Sequence, residues 1–469
     1  MSFKAYDEYK DSGVEWLGEV PAHWAITDLK YVCDVMPSNI DKKSKDGEIG
    51  VYLCNYTDVY YNDKIIKDMS FMRATATCEQ INKFSLVKGD VLFTKDSESS
   101  DDIANPAYVP EDLHNVVCGY HLSIARPRKE LVGLYLKLFF ETHIAKGYFA
   151  TSANGLTRVG LGQYAIDNLS ITLPSEKEQT TIAAFLDHET ARIDALIEEQ
   201  QRLIALLKEK RQAVISHAVT KGLDPNVPMK DSGVEWLGEV PAHWETKRVK
   251  NILQPGKDSI RPGPFGSDIK GNDFVEESDY RVYNQSTVIS RDFNNSAFIT
   301  KEKFENLISF MVKKGDVLIT SRGTIGKISE VDSDAGLGII HPCIIRLRLN
   351  HHIVITSFFT LMFSQTTLAT DQLKVASNST TIDVIYANSL SETWVPLPPK
   401  HEQQDIYDKL SGFLSSTNQT IDTAEQLSNL LQERRSALIS AAVTGKIDVR
   451  DWQPPKANQT AAEPAEASV

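Results

Sequence analysis

The sequence predicts an α+β fold in which two mixed α/β domains are separated by two long antiparallel helices that form a coiled coil. Three observations lead to this prediction. A fifteen-residue segment occurs twice, two long stretches have the composition and spacing of paired helices, and short β-rich runs alternate with helical ones elsewhere. Because the two halves are duplicated, we expect a pseudo-twofold arrangement.

The duplication extends over most of the chain. The letters KDSGVEWLGEVPAHW fill residues 10–24 and return unchanged at 230–244. A second block begins with LPSEKEQ at Leu173 and with LPPKHEQ at Leu397, an offset of 224 positions. Between these blocks the halves diverge, and the short echo of KGDVLFT in KGDVLIT survives. Two similar frames therefore hold two different inserts.

The repeats and the changes in composition set the expected domain limits. In chain order we predict an N-terminal repeated segment (1–24), a first variable domain (25–172), a central repeated region with a long helix (173–229), a repeated segment (230–244), a second variable domain (245–396), a distal repeated region with a long helix (397–450) and a disordered tail (451–469). The tail is low in apolar residues, which is typical of disorder.

The first repeated helix is predicted to run from Glu176 to about Ala218, because this stretch lacks proline and glycine and is rich in helix formers. Gly222 and Pro225 mark its end. A spacing of seven residues predicts a coiled-coil seam, made of Leu186, Ile193, Gln200, Leu207 and Val214. A neighbouring apolar stripe is expected at Ile182, Leu196 and Leu203.

The second repeated helix keeps this register more weakly, with Leu410, Leu431 and Leu438. Thr417 and Ala424 stand where leucine or isoleucine is expected, and Gly412 is predicted to interrupt the helix. Since each helix alone would leave its stripe exposed, we expect the two to pair in a rod of roughly 60 Å. The alternative is two separate helices, each packed on its own domain.

The fifteen-residue repeat predicts a short capped turn. Ser12 can cap a helical turn, with Glu15 completing a capping box, and Gly18 and Pro21 end it. The side chains expected to be buried are Val14, Trp16, Leu17, Val20 and Trp24. The polar positions are also identical between the copies: Lys10, Asp11, Glu15, Glu19 and His23. Either recent gene conversion made both copies alike, or the copies present one surface to two copies of a partner.

The composition is that of an ordinary soluble protein, with 41% hydrophobic and 24% charged residues in 469. The cysteines are scattered and odd in number, which argues against disulfides or zinc and for a reducing cytoplasm; they are Cys33, Cys54, Cys78, Cys118 and Cys343. No apolar run is long enough to predict a membrane span.

The net charge of −13 counts against a nucleic-acid partner, unless the protein has a basic cleft although its total charge is acidic.

The sequence contains no convincing catalytic motif. NPAY at 105–108 is similar to a methyltransferase motif but lacks its second proline, and SRGTIGK at 321–327 is too short for a phosphate-binding loop. The adjacent His351 and His352 lack a metal-ligand pattern. We therefore expect no catalysis by this chain.

The order of the repeated motifs over about residues 10–450 resembles the specificity subunit of type I restriction–modification systems. The motifs are SGVEWLGEVPAHW, a variable region, LP-x-x-x-E-Q and a long helix ending in AVT, followed by the same series again. The resemblance implies that each variable domain is a target recognition domain that reads one half of a bipartite, asymmetric DNA site. It implies that the helices fix the half-site spacing.

The resemblance also implies partners. It predicts binding to double-stranded DNA and to two methyltransferase subunits, joined by two restriction subunits in the full complex. AdoMet, ATP and Mg²⁺ are expected on those partners, with no cofactor in this chain.

Polar side chains in glycine-containing or Ser/Asn-rich loops are the candidates for contacting DNA. In the first variable domain they are Lys95, Ser97, Ser99, Tyr120, His121, Asn154, Thr157 and Arg158. In the second they are Arg261, Ser267, Lys270, Gln285, Ser321, Arg322, Thr324, Lys327, Asn378 and Thr380. Arginine pairs well with guanine, and asparagine and glutamine with adenine. For each residue, an ordinary solvated loop is the alternative.

Two other functions remain open. One is a fused DNA methyltransferase or nuclease, which the missing cofactor motif disfavours and AdoMet binding by the purified chain would support. The other is a coiled-coil scaffold without DNA binding, which gives the variable domains no reason to diverge so far.

Overall fold

The computed structural model describes residues 3–235, 237–331, 335–377 and 384–455. The chain divides into two compact units: the first holds the residues up to Gln201 together with those from Glu425, and the second holds Arg202–Ala424. Most of the predicted disordered tail lies outside the described residues. Among those that are described, no helix combines the length and apolar character that crossing a bilayer requires.

Among its described residues, the first unit contains fourteen short strands, six complete helices and parts of the two long helices. The strands are β1 (Tyr9–Asp11), β2 (Glu19–Pro21), β3 (Ala25–Asp28), β4 (Cys33–Pro37), β5 (Ile49–Cys54), β6 (Met72–Ala76), β7 (Ser85–Leu86), β8 (Val91–Thr94), β9 (Asp96–Ser97), β10 (Pro106–Tyr108), β11 (Leu113–Cys118), β12 (Leu122–Pro127), β13 (Val159–Gly160) and β14 (Ser170–Leu173). The helices are α1 (Leu29–Val32), α2 (Tyr56–Tyr60), α3 (Cys78–Phe84), α4 (Gly133–Phe140), α5 (His143–Ser152), α6 (Gln163–Asp167) and the long α7 (Glu176–Lys221), whose later part belongs to the second unit.

The second unit has a related but not identical order of elements. Its strands are β15 (Met229–Asp231), β16 (Glu239–Pro241), β17 (Glu245–Arg248), β18 (Ile260–Pro262), β19 (Phe274–Val275), β20 (Tyr280–Tyr283), β21 (Ala297–Ile299), β22 (Val317–Thr320), β23 (Ile328–Glu330), β24 (Gly338–Ile340), β25 (Ile344–Leu347) and β26 (Trp394–Leu397). Its helices are α8 (Gln285–Ser290), α9 (Lys301–Asn306), α10 (Thr356–Gln365), α11 (Leu368–Ser377), α12 (Ala387–Glu392) and the long α13 (Lys400–Val443), whose later part belongs to the first unit.

The two variable domains share most of their sheet topology although their sequences diverge. One sheet has the order β10-β8-β12-β4 in the first domain and β23-β22-β25-β18 in the second. A second sheet in each domain contains one parallel pair, β5 with β11 and β20 with β24. A two-stranded antiparallel pair, β3 with β14 and β17 with β26, joins the start of each variable domain to its end.

The echoed KGD motif precedes the central strand of the first sheet in each domain. Asp90 is fully buried, accepts from the backbone nitrogen of Val87 and pairs with the guanidinium of Arg126 at 2.8 Å. Asp316 is also buried and pairs with Nε of Arg348 at 3.1 Å. A buried carboxylate needs such partners, so the motif survives for structural reasons.

The core of each unit joins the variable domain to the long helices. In the first unit, Tyr135 and Phe139 of α4 share one apolar cluster with Ile182 of α7 and Ile439 of α13. In the second unit, α10 contributes phenylalanines to a cluster that contains parts of both long helices. The predicted pairing of the helices is therefore present within each unit.

The predicted seam is correct in one row, and the neighbouring stripe is correct at the buried Ile182 but wrong at its other two positions. Ile193 and the positions seven apart from it face inward or are half-buried, but Leu196 and Leu203 are exposed. Ile197 and Ile204 face inward instead, because inward positions on a paired helix alternate steps of four and three residues. The predicted break is also wrong, since α13 continues through Gly412 as helix.

The fifteen-residue repeat forms a β-hairpin in place of the predicted helical cap. β1 pairs with β2, and β15 pairs with β16. Ser12 Oγ accepts from the backbone nitrogen of Val14 at 3.1 Å, which makes a tight turn rather than a capping box with Glu15. Leu17, Val20 and Trp24 are buried as predicted.

Candidate nucleic-acid interface

The repeated Glu-Gln pair attaches the hairpins and the variable domains to the long helices. In the first unit, Glu178 is buried and accepts from Nε1 of Trp24 at 3.0 Å and from the hydroxyl of Tyr6 at 2.8 Å. His23 Nε2 lies 3.1 Å from the same carboxylate. Burial first, and then the hydrogen bond to Glu178, raise the pKa of Tyr6 far above its ordinary value.

The second unit repeats this attachment with the second copies of the same residues. Glu402 accepts from Nε1 of Trp244 at 2.8 Å, and its other oxygen lies 2.7 Å from Nε2 of His243. The identical Trp and His of the repeats therefore have an internal reason to be kept. The identical Glu15 and Glu19 are exposed, so both explanations for the polar positions remain open.

The glutamine next to each of these glutamates holds the variable domain. The side-chain oxygen of Gln179 accepts from the backbone nitrogen of Val132, the residue before α4, at 2.8 Å. Gln403 does the same for Ile355, the residue before α10, at 2.8 Å. Each glutamine also donates to two backbone carbonyls, and together these bonds fix the first aromatic helix of the domain on the start of a long helix.

In the first variable domain the candidate residues converge on Asp96. Its Oδ2 lies 2.6 Å from Nδ1 of His121, and its Oδ1 lies 2.7 Å from Nη2 of Arg158. The short strands β9 and β13 pair and bring the loop that contains Asn154, Thr157 and Arg158 beside the loop after β8. Residues about 60 positions apart thus meet at one exposed place.

Lys95 and Tyr120 complete this cluster. The Lys95 ammonium lies 5.1 Å from the centroid of the Tyr120 ring and donates to the carbonyl oxygen of Ser38. The neighbouring His121 has a φ of +73°, a region that non-glycine residues rarely occupy. Such strain is tolerated where a side chain must point in a set direction, here beside Asp96.

In the second variable domain three of the candidates, Arg261, Ser321 and Arg322, line a groove of about 510 Å³. Arg261 and Arg322 both line it, beside Phe265 and Tyr386. Arg261 is oriented by its Nε, which donates to Oδ1 of Asp258 at 2.9 Å. Arg322 is exposed, as are Thr324 and Lys327 in the same β22–β23 loop.

The remaining candidates have separate placements. Gln285, at the start of α8, donates through Nε2 to the carbonyl oxygen of Arg322 and so supports the loop rather than facing away from it. Lys270 is exposed before a 3₁₀ turn and is not among the described residues that line the groove. Ser99 and Ser267 lie in surface loops. Asn378 and Thr380 lie outside the described residues.

Ser97 and Ser321 are largely buried, although Ser321 borders the groove of the second domain. Each is only 5% exposed, in the segment that follows a central strand. Contact of these two hydroxyls with DNA stays a prediction. The sequence pattern marked a polar loop but could not tell which residues of that loop are buried.

The two loops occupy the same place in the shared topology. The backbone nitrogen of Leu161 donates to the carbonyl oxygen of Lys95 at 2.8 Å. In the second domain the backbone nitrogen of Ile385 donates to the carbonyl oxygen of Ser321, also at 2.8 Å. Equivalent backbone scaffolds therefore carry different side chains, an aspartate with a histidine and an arginine in one domain and a pair of arginines in the other.

Exposed aromatic residues near these loops were missed from the sequence. Phe265 is 82% exposed and Tyr386 63% exposed in the groove, and Tyr164 of α6 in the first domain is 81% exposed. The signal was present in the letters PGPFGS, where glycine and proline surround a phenylalanine. Exposed rings of this kind can stack on or wedge against a ligand.

The described residues show the chemistry of binding rather than catalysis. No group of three histidine, cysteine or acidic side chains among them could hold a metal ion. Basic and aromatic side chains lie together in both loops, Lys95 with Tyr120 in the first domain and Arg322 with Phe265 in the second.

Comparisons with known proteins agree with this architecture. A family model for the type I restriction modification DNA specificity domain matches residues 21–206 and 265–429. The putative type I restriction enzyme MjaX specificity subunit of Methanocaldococcus jannaschii is 22% identical over 441 residues, covering 92% of this chain and 96% of that protein. The type I restriction enzyme EcoBI specificity subunit of Escherichia coli is 26% identical over 333 residues, covering 68% of this chain and 67% of that protein.

Two solved structures share the fold. One, from work on complex assembly and conformational transition of the type I R-M system, has a TM-score of 0.67 at 16% identity and covers 90% of this chain and 98% of that chain. The HsdS subunit from Thermoanaerobacter tengcongensis has a TM-score of 0.52 at 16% identity and covers 91% and 98%. Because the family model matches more than half of its length, the chain belongs to the type I restriction–modification specificity subunits, which are non-catalytic components of those systems.

Proposed function

We propose that each variable domain reads one half of a bipartite, asymmetric DNA target. The observation that carries this proposal is that one backbone topology presents two different sets of basic, polar and aromatic side chains at the same loop position. If both domains bound the same ligand, their loops would have no reason to differ. The exposed arginines in both loops suit a polyanion such as DNA.

Direct readout fits the side chains available. Arg322 and Arg158 are exposed in short loops, and an arginine can donate two hydrogen bonds to the edge of guanine. Asn154 lies in the same loop as Arg158, and an asparagine can form two hydrogen bonds with the edge of adenine. Lys95 and Lys327 carry point charges suited to phosphate contacts, which position a protein without specifying sequence.

We propose further that the long helices set the spacing of the half-sites. α7 has 46 residues and α13 has 44, and at about 1.5 Å per residue each extends roughly 66–69 Å. Two turns of B-DNA cover a similar length, at about 34 Å a turn. A stiff element of this length would hold two recognition loops at a fixed interval along the duplex.

The same helices offer a repeated surface for two methyltransferase subunits. Leu203 and Leu206 on α7 are exposed, and their repeat equivalents Leu427 and Leu430 on α13 are exposed as well. One exposed leucine is ordinary, but a matched pair on each copy is typical of a surface that a partner covers. Two like surfaces suit two copies of one subunit.

The reaction chemistry would then belong to those partners. We propose that AdoMet, ATP and Mg²⁺ bind to the methyltransferase and restriction subunits, two of each in the full complex, in the cytoplasm. This chain would contribute recognition of double-stranded DNA.

Selection from a pool of random duplexes tests the proposal. The purified complex of this chain with its methyltransferase subunits is expected to enrich a two-part motif with an unspecified gap. Retention of AdoMet by the chain alone would favour the methyltransferase alternative. A complex that assembles but enriches no sequence would favour the scaffold.

A further inference from the structure

The second unit contains a polar groove that the proposed function does not use. It has a volume of about 660 Å³ and lies where α10, the end of α8 and parts of both long helices meet. Its polar lining includes Arg211, Arg291, Glu330, Ser364, Gln365 and Asn418. The groove is distinct from the recognition groove, which is lined by other residues.

The corresponding place in the first unit is filled by an ion-pair network. Arg435 of α13 donates through Nε to Oδ1 of Asp194 at 2.9 Å and lies 3.3 Å from Oδ2 of Asp63. The Lys137 ammonium lies 3.3 Å from Asp63 and 2.7 Å from Glu141. Three carboxylates, those of Asp63, Glu141 and Asp194, therefore form ion pairs with two cationic side chains.

The repeat offset of 224 shows what has replaced this network in the second unit. Arg211 is the equivalent of Arg435 and is kept, but its partner is the neutral Asn418, whose Oδ1 accepts from Nη1 at 2.8 Å. In the aromatic helix the offset is 223, because Gln179 and Gln403 bind the backbone nitrogens of Val132 and Ile355. The equivalent of Glu141 is therefore Ser364, and the equivalent of Lys137 is Thr360. Two carboxylates and one cation have become neutral side chains.

A second arginine adds positive charge to the groove. Arg291 follows α8 in the left-handed conformation, with a φ of +57°, and its side chain lines the groove. Within the described part of the chain, neither Arg211 nor Arg291 forms an ion pair. Glu330 is the acidic residue in the described lining, so the two arginines outnumber it there.

We propose that this groove binds a small phosphate-bearing molecule through Arg211 and Arg291. The guanidinium group donates hydrogen bonds in a planar fork that matches phosphate oxygens. The volume exceeds what a single water-sized ion needs, and the serine and amide groups of the lining can orient the remainder of the ligand.

Calorimetric titration of the full chain with inorganic pyrophosphate, at matched ionic strength, tests this site. One saturable binding event is expected, weakened about tenfold by Arg291→Asn, since asparagine tolerates the left-handed conformation. Arg211→Gln should weaken it similarly. Lys301→Gln, which removes one charge from an exposed side chain of the same unit, should bind as the wild type does.

Three results would overturn the proposal. The first is that pyrophosphate gives no saturable heat beyond that of sodium chloride at the same ionic strength. The second is that Arg291→Asn binds pyrophosphate with wild-type affinity. The third is that the chain binds citrate but not pyrophosphate. Enrichment of a DNA motif by the same preparation is measured separately, so failure of this site leaves the recognition function standing, and the reverse also holds.

Discussion

Arg435 of α13 and Asp194 of α7 form an ion pair in the first unit, with 2.9 Å between Nε and Oδ1. Arg211 of α7 and Asn418 of α13 repeat the contact in the second unit, at 2.8 Å, with the roles of the helices exchanged. Each residue of one pair is the repeat equivalent of a residue in the other. The repeat equivalence of the two halves therefore extends to single side chains, and in each unit the contact joins the two long helices.

Restoring the missing charge should stabilise the second unit. Asn418→Asp gives Arg211 a carboxylate partner, and we expect a gain of up to about 1 kcal/mol in the free energy of unfolding, the range of partly exposed pairs. Urea denaturation at low salt measures it. The matched change Asp194→Asn should lower stability, and a loss in both variants would contradict the equivalence of the two contacts.

Removing the buried acceptor of the first hairpin should destabilise it. Glu178→Ala leaves the indole of Trp24 and the hydroxyl of Tyr6 without their acceptor, and an unsatisfied buried donor costs roughly 1–3 kcal/mol. Glu402→Ala is expected to cost less, because Glu402 is more exposed and accepts from fewer groups. Equal urea midpoints for wild type and Glu178→Ala would show that the hairpin does not depend on this carboxylate.

The second unit should lose stability in mild acid through His341. Burial lowers the pKa of this histidine in the folded chain, so the unfolded chain, with an ordinary value of about 6.5, takes up the proton first. Stability is therefore present above that value and decreases as the pH falls through the folded pKa. Thermal denaturation at pH 7.5 and 5.5 should show a smaller decrease for His341→Asn, which can still accept from the backbone nitrogen of Cys343.

Each variable domain should lose its own half of the target when its exposed arginine is removed. Arg322→Ala is expected to weaken binding at the second half-site by about 1–3 kcal/mol and to relax its sequence, with the first half unchanged. Arg158→Ala should do the reverse. Competition with half-site mutants of the selected duplex measures both, and wild-type affinity and discrimination in Arg322→Ala would exclude it as a reader.

The exposed leucines should govern how many methyltransferase subunits bind. Leu206→Glu and Leu430→Glu each place a charge in one of the two proposed contact surfaces, so each single variant should retain one subunit and the double variant none. Native mass spectrometry of the assembled complex counts them. Two subunits bound to the double variant, with its helical content unchanged, would place the contact elsewhere.

The sequence predicted the parts of the fold that repeat and missed those that depend on distant contacts. The duplicated blocks and the seven-residue spacing placed both long helices. The second stripe failed because Leu196 and Ile197 are adjacent and only the pairing geometry decides which one turns inward. The hairpin was missed because the spacing of Ser12 and Glu15 matches that of a capping box. The strands that form the hairpin, β1 and β2, pair outside these two residues.

The candidate sites divide in the same way. Loop chemistry selected Arg158 and His121, but the carboxylate that joins them, Asp96, was not chosen, because only the pairing of β9 with β13 brings these segments together. Glu178 and Gln179 were recognised as repeated letters. Their roles as hydrogen-bond acceptors for the hairpin and the variable domain could not be predicted, because the donors are distant in the sequence and only the fold brings them together.

The most direct test exchanges one variable domain and maps methylation. A chain in which residues 25–172 come from another specificity subunit, expressed with the methyltransferase subunits, should modify a two-part motif with a new first half, an unchanged second half and an unchanged gap. Methylation of both halves at new sequences, or a changed gap, would contradict independent reading by two domains on a fixed spacer.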